Sequence, residues 1–394
     1  MKILMLAPEP FFQPRGTPIS VYFRLQALSD LGHEIDLVTY HLGEDKNFPG
    51  LKIHRILPVF FIKKIKVGPS LAKIFLDLLM LCKSLRLVMT KQYDLIFSHE
   101  EASWFGTFLA KIKKIPHLYD MHSSLPQQLE NFRFSRSKVL KKIFLALERF
   151  VLRNAQSVIV ICMDLFRKLE KGGFASKATL IENFLDFDHP GYTEDQIQEA
   201  RRKYASPTDK IVLYTGNFES YQGISLFLEA SSMLDDRSVV FLLVGGNVSH
   251  VDKMKKKASE LSISDRVFFT GQVAPSEVPL FIAMADVLVS PRIAGTNTPL
   301  KIYSFLKSGK PVVATDLWTH CQVLDDKIAV LVEPDPKSFA QGILFALNDP
   351  NAIERALEAK KMAEREYTFA NYKRKITEAL EKALEGNPRG NTVT

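Results

Sequence analysis

Five stretches of this 394-residue sequence place residues able to hold an anion or steer a hydroxyl just after an apolar run. The most informative runs from Ser290 to Thr315. A strand is expected to end at Ser290 and release the loop Pro291-Arg292-Ile293-Ala294-Gly295-Thr296-Asn297-Thr298. A helix is expected over 299–308, with Thr298 as its cap, Pro299 at its first position and Gly309 as its stop. The free amides and dipole of such a helix start stabilise a phosphate, and Arg292 and Lys301 add positive charge. Leu300 and Ser304 line the same turn pair.

The other four stretches are shorter. Tyr119-Asp120-Met121-His122-Ser123 would release His122 at the end of a strand, with Asp120 two residues back on the same side. His122 there can polarise or hydrogen-bond a substrate hydroxyl. In Pro14-Arg15-Gly16-Thr17-Pro18, Gly16 allows close backbone approach, Thr17 can cap a helix and Pro18 suits its first position. Thr215-Gly216-Asn217 through Gln222-Gly223, and Val244-Gly245-Gly246, are strands running into glycine loops. Taken singly, each of these is also an ordinary connection between a strand and a helix.

Elements of two kinds must position these loops. Short apolar runs at 2–7, 34–40, 53–57, 94–98, 117–121, 157–161 and 178–182 read as strands, with helices at 17–31, 69–90, 101–113, 136–154 and 163–172 between them. After a polar tract at 183–208, strands are expected at 211–215, 239–244, 267–270, 286–290, 311–315 and 327–332. Helices are expected at 223–234, 251–262, 276–284, 299–308, 336–348 and 351–364. Such alternation implies parallel sheets covered on both faces, an α/β class with two doubly wound domains. Ligands in such sheets bind beyond the carboxyl ends of the strands, where all five loops fall. We expect an N-terminal domain over 1–190 with a returning helix at 366–386, and a C-terminal domain over 205–365.

Composition narrows the class. With 46% apolar and 24% charged residues the chain is neither disordered nor fibrous. Cys82, Cys162 and Cys321 lie far apart, which argues against a disulfide framework or a cysteine zinc site. The first apolar run stops at Pro8-Glu9-Pro10, as a buried strand would and a signal peptide would not. The net charge of +8 is uneven: residues 51–150 hold 18 Lys+Arg against 7 Asp+Glu. Basic residues beside apolar ones recur at 59–91 (Phe60, Phe61, Lys63, Lys64, Lys66) and 133–153 (Arg133, Arg136, Lys138, Lys141, Lys142), a pattern suited to an anionic membrane surface. The alternative is core helices with solvated lysine faces. No nucleic-acid-binding motif is present. The expected location is the cytoplasm, peripherally at the inner face of the membrane.

In sequence order these segments resemble the GT-B fold glycosyltransferases, specifically the large retaining family 4. Leu31-Gly32-His33-Glu34-Ile35 after the first loop, Tyr119-Asp120-Met121-His122, Tyr214-Thr215-Gly216 through Gln222-Gly223, and above all Thr296 to Thr315 carry the likeness. The resemblance implies transfer of a sugar from a nucleotide diphosphate donor to a lipid-linked, polysaccharide or other glycoconjugate acceptor with retained configuration, without metal or resident cofactor. It places the donor on Gly16, Thr17, Gly216, Asn217, Gln222, Gly245, Arg292, Gly295, Thr296, Asn297, Thr298, Pro299, Leu300, Lys301 and Ser304. The acceptor falls to Arg15, His122 and Ser123, and catalysis to His122 and Asp120. The final helix would return to the N-terminal domain through Phe369, Tyr372 and Ile376.

The chain departs from that family at its two donor-segment Glu positions, which read Thr296 and Ser304, and at the Arg and Lys of the first C-domain loop, which align with Asn217 or Phe218 and with Gln222. This fits a divergent donor site held by Arg292, Lys301 and amides, or a non-catalytic partner subunit; the retained Gly295-to-Pro299 loop favours the first. A UDP-sugar epimerase is a weaker rival, because the 290–305 loop lacks carboxylates.

Overall fold

The computed structural model describes residues 1–13, 16–65, 70–124, 138–182 and 191–386. It forms two compact units, Met1–Phe184 with Phe369–Thr394, and Leu185–Thr368. In the first, strands β1 (Lys2–Ala7), β2 (Glu34–Thr39), β3 (Leu51–Arg55), β4 (Leu95–His99), β5 (His117–Met121), β6 (Ser157–Val160) and β7 (Ala178–Leu180) alternate with helices α1 (Gly16–Asp30), α2 (Leu71–Thr90), α3 (Ala102–Lys113), α4 (Lys138–Asn154) and α5 (Met163–Lys171). The sheet order is β3-β2-β1-β4-β5-β6-β7, all parallel. In the second unit α6 (Glu194–Arg201) precedes β8 (Lys210–Thr215), α7 (Ile224–Ser232), β9 (Val239–Val244), α8 (Val248–Glu260), β10 (Val267–Gly271), α9 (Val278–Met284), β11 (Val287–Ser290), α10 (Lys301–Ser308), β12 (Val312–Thr315), α11 (Trp318–Cys321), β13 (Val330–Val332), α12 (Pro336–Asn348) and α13 (Pro350–Glu366). Its parallel order is β10-β9-β8-β11-β12-β13. The last helix, α14 (Phe369–Glu385), belongs to the first unit.

The central strands are buried on both faces, which explains their unbroken apolar runs. Gly32 and Gly309 end α1 and α10 with φ of 76° and 68°, a conformation glycine adopts without a Cβ clash. The polar tract expected to join the domains holds α6. Its Thr193/Gln196 capping box closes the first turn, and Arg201 pairs with Asp286 at 2.8 Å. The threonine-x-x-glutamine signal was in the sequence, but eight polar-rich residues show little apolar periodicity.

Helix α14 docks where its spacing places it. Tyr372, Ile376, Ala379, Leu380 and Ala383 are buried, and Lys382 Nζ donates to the Ala178 carbonyl at 3.1 Å. Lys375 pairs with Glu182 at 2.5 Å. Burying such an aliphatic stripe holds a helix far more firmly than its exposed ion pairs. We predict that Ile376→Ala lowers unfolding stability by about 2–5 kcal/mol, whereas Arg374→Ala changes it by about 0.5 kcal/mol or less, measured by urea unfolding.

Candidate functional site

In the second unit three loops meet at backbone contact. Gly223 has φ of 72°, and a Cβ there would lie 1.7 Å from the Pro291 carbonyl oxygen; one on Gly245 would lie 2.1 Å from that of Gly216. Only glycine permits these approaches. They bring the loops after β8, β9 and β11 together at the carboxyl edge of the sheet, where Gly216, Gly245 and the 291–299 segment converge. Asn217 and Gln222 lie in the β8 loop. The Asn217 carbonyl accepts from the Tyr214 hydroxyl at 2.7 Å, and buried Gln222 Oε1 has no hydrogen-bond partner among the described residues.

The 291–299 loop is pinned by its own side chains. Arg292 Nη1 donates to the Asn297 carbonyl at 2.6 Å and to Thr319 Oγ1 at 2.7 Å. Thr319 Oγ1 donates to the same carbonyl, and Gln322 Nε2 donates to the Thr296 carbonyl, each at 2.6 Å. Arg292 thus shapes the loop as well as charging it, its guanidinium 5.1 Å from the Tyr221 ring centre. Gly295, with φ of 125°, leaves the guanidinium room.

The helix start differs from expectation. Helix α10 begins at Lys301, with Leu300 at its N-cap position and no side-chain cap. Pro299 lies outside it, and Thr298 is not the cap, its buried Oγ1 having no hydrogen-bond partner among the described residues. The Ile302 amide already bonds the Pro299 carbonyl at 3.0 Å and the Tyr303 amide that of Leu300 at 3.3 Å. The tight turn after proline therefore occupies two amides that a helix opening at Lys301 would otherwise leave free. Lys301 is the first residue of that helix. Its Nζ is buried with no hydrogen-bond partner among the described residues, 3.6 Å from the Tyr214 ring centre and beside Gly216. A desolvated cation–π contact contributes about 2 kcal/mol, less than the several kcal/mol needed to desolvate an ammonium. Burial, then the neighbouring Arg292 charge, hold the Lys301 amine well below its usual range. Ser304 sits one turn on, half-buried.

The first unit carries a different arrangement. Asp120 and Arg24 are fully buried and paired at 2.8 Å through Asp120 Oδ2. His122 Nε2 lies 3.4 Å from that oxygen and His99 Nδ1 3.5 Å, the two nitrogens being 3.3 Å apart. Burial alone would raise the Asp120 carboxyl, but Arg24 and then His122 outweigh it and keep it ionised. Burial opposes a charge on His122, yet Asp120 and Glu100 raise it above the ordinary histidine value. Burial pushes His99 down to about 3. The three donor atoms are spaced as cation ligands could be, but the Arg24 Nε–H occupies the same carboxylate oxygen, so we read a hydrogen-bonded ion cluster. Tyr372 of α14 covers the Arg24 guanidinium at 5.0 Å.

Ser123 Oγ donates to Glu100 Oε2 at 2.9 Å. Glu100 itself takes φ of 47° directly after β4, and burial raises its carboxyl to about 7. Arg24, His99 and Glu100 escaped the sequence reading. Ser98-His99-Glu100 does follow a strand just as His122 does, but Arg24 is a lone cation on an apolar helix face and gives no signal. Helix α1 begins at Gly16, so Thr17 and Pro18 lie inside its first turn and Thr17 does not cap it. Arg15 lies outside the described residues.

Two family profiles divide the chain. Residues 14–189 match "Glycosyltransferase Family 4" and residues 196–366 match "Glycosyl transferases group 1". The chain belongs to the group 1, GT-B glycosyltransferases. Among its relatives, alpha-monoglucosyldiacylglycerol synthase of Streptococcus pneumoniae is 24% identical over 98% of this chain and 87% of its own. Phosphatidyl-myo-inositol mannosyltransferase of Mycobacterium tuberculosis is 25% identical over 94% of both. Anabaena Alr3699/HepE, solved with UDP, superposes with a TM-score of 0.77 at 18% identity, covering 97% of this glycosyltransferase and all of that chain (100%). Sucrose-phosphate synthase of Thermosynechococcus elongatus gives 0.78 at 19% identity, over 97% and 98%. These superpositions establish the fold.

The buried pair supplies a direct test. Arg24→Met strands a buried carboxylate and is expected to cost about 3–5 kcal/mol, whereas Arg24→Met with Asp120→Leu together recovers most of that loss. Thermal unfolding of both variants checks it.

Proposed function

We propose that this glycosyltransferase transfers a hexosyl group from a nucleoside-diphosphate sugar, with retention and without metal, to a lipid-linked or other glycoconjugate acceptor. The observation that carries the donor reading is Lys301: a buried amine beside Arg292, with no acid against it among the described residues, at the edge where three glycine loops converge. An anion of two or more charges is the ligand such a pair lacks. The departing diphosphate would be stabilised there by charge–charge attraction in a dry site, which usually lowers a barrier more than any other single effect. Gly216, Asn217, Gln222, Gly245 and the 295–300 loop would complete donor contact within the second unit, with Thr296 and Ser304 offering hydroxyls in place of carboxylates. His122, braced by Asp120, which favours its charged form, would hydrogen-bond the transferring sugar or acceptor hydroxyl, with Ser123 beside it. The relatives named for glycolipid synthesis support a lipid-linked acceptor.

A surface on the first unit suits that acceptor. Phe60 and Phe61 are 85% and 81% exposed beside Lys63 and Lys64, and Phe61 reaches the Phe75 ring at 6.5 Å. Along α2, Ile74, Leu78, Leu85 and Met89 are also exposed. On the adjoining α3 and α4, Phe108, Ile112, Val139 and Ile143 are exposed, with Lys111 over Phe150. Isolated apolar exposure is ordinary, but exposed apolar side chains recurring on three contacting helices beside lysines are not. Lys66, Arg133 and Arg136 fall outside the described residues, as does the side chain of Lys138. Each basic residue near an anionic surface contributes about 1 kcal/mol. Among the described residues no helix is long and apolar enough to cross a membrane, so the proposed association is peripheral, at the cytoplasmic face.

Two measurements test these readings. UDP, GDP or ADP should raise the melting temperature, and Lys301→Met should abolish both that shift and sugar transfer; absence of any shift with all three would refute the donor site. The protein should float with phosphatidylglycerol vesicles at low salt and be released by salt, with Phe60→Ser/Phe61→Ser weakening the association several-fold; no flotation refutes the surface.

A further inference from the structure

The surroundings of Lys301 constrain its charge state. The Nζ atom is cut off from solvent and makes no hydrogen bond to the described residues. The titratable groups around it are Arg292 on the β11 loop, Tyr214 on β8 and His320 on α11, with Tyr221 beyond Arg292. None of these is an acid that would be ionised at neutral pH. His320 is itself buried, with Nε2 2.9 Å from Ser290 Oγ, and burial holds it neutral, at about 3. Tyr214 is pushed up beyond the usual phenol range by burial and keeps its proton. Arg292 alone keeps a full charge nearby, and it repels a second one.

A buried amine in these surroundings minimises its free energy by giving up its proton. The ring face of Tyr214 softens that preference but cannot replace the lost hydration. A diphosphate reverses the balance, because it brings at least two negative charges within reach of the same nitrogen. We propose that Lys301 is a proton-loading residue of the donor site, an uncharged amine before ligand binds and an ammonium once a nucleoside diphosphate lies against it. The inference rests on the donor-site reading above and adds to it a proton taken up from solvent with each diphosphate bound.

The charge that holds the ligand is thus produced by the ligand. This avoids keeping two unpaired buried cations side by side in the unliganded protein, a state that would oppose folding. Linkage fixes the direction: an amine whose folded pKa is depressed costs stability below its unfolded value near 10.4 and restores it as pH rises toward that value. Lys301→Met therefore raises the melting temperature of the unliganded protein at pH 7–8.

Isothermal titration of the full chain with UDP, GDP and ADP at pH 8.5, in buffers of different ionisation enthalpy, reads the proton count. At this pH the terminal phosphate, with a pKa of about 6, is already ionised and contributes no proton. Wild type is expected to take up close to one proton per diphosphate. Lys301→Arg, charged throughout, should take up none while still binding. Wild-type affinity should fall about tenfold per pH unit above the pKa of the unliganded amine. Tight binding with no proton uptake and a flat pH dependence would overturn the proposal and leave the donor site standing. Absence of binding by all three diphosphates would overturn the donor site and this inference with it. The wild-type titration decides the matter even if the variant fails to fold.

Discussion

The close approach of backbones at the carboxyl edge of the second sheet governs everything proposed for the donor. Gly223 against Pro291 and Gly245 against Gly216 let three loops touch where any side chain would collide. That contact sets the Arg292 loop beside the Gly216 loop and leaves Lys301 Nζ between them and the Tyr214 ring. The Lys301 amine reaches Gly216 from the start of α10.

The first unit rests on a different principle, a charge cluster that balances internally. Arg24 comes from α1, Asp120 and His122 from β5 and its end, His99 from β4, and Tyr372 from α14. Five side chains from four separate elements and one strand end agree only in the complete fold, so α14 supports His122 through Tyr372, Arg24 and Asp120. Such a cluster stabilises less than an apolar replacement would, and its value lies in the orientation and charge it imposes on the imidazole. Loss of any one partner leaves the others buried and unanswered, which makes the cluster sensitive to truncation of α14.

The strand–helix alternation was legible because a doubly covered parallel sheet leaves strands uninterruptedly apolar and its helices amphipathic. The ends of elements were less so. Thr298-Pro299 has the composition of a helix start, but the chain takes a tight turn there and the helix opens two residues later at Lys301. Gly16-Thr17-Pro18 erred the other way, the helix starting earlier, at Gly16. Capping signals give the neighbourhood of a boundary; tertiary hydrogen bonds give the residue. Of the site, Asp120 and His122 were visible from their places at a strand end, and Lys301 from its place near an expected helix start. Arg24 was not, because its role depends on a partner 96 positions away, and no local pattern encodes that distance.

The donor site proposed for the second unit stands or falls with diphosphate binding by Lys301. A crystal structure of the full chain grown with UDP, GDP or ADP tests it directly. A phosphate oxygen is expected within hydrogen-bond distance of Lys301 Nζ, with the Arg292 guanidinium still bound to the Asn297 carbonyl. A diphosphate held by other cations, with Lys301 still buried against Tyr214 and out of reach of it, would show that Lys301 does not bind the donor.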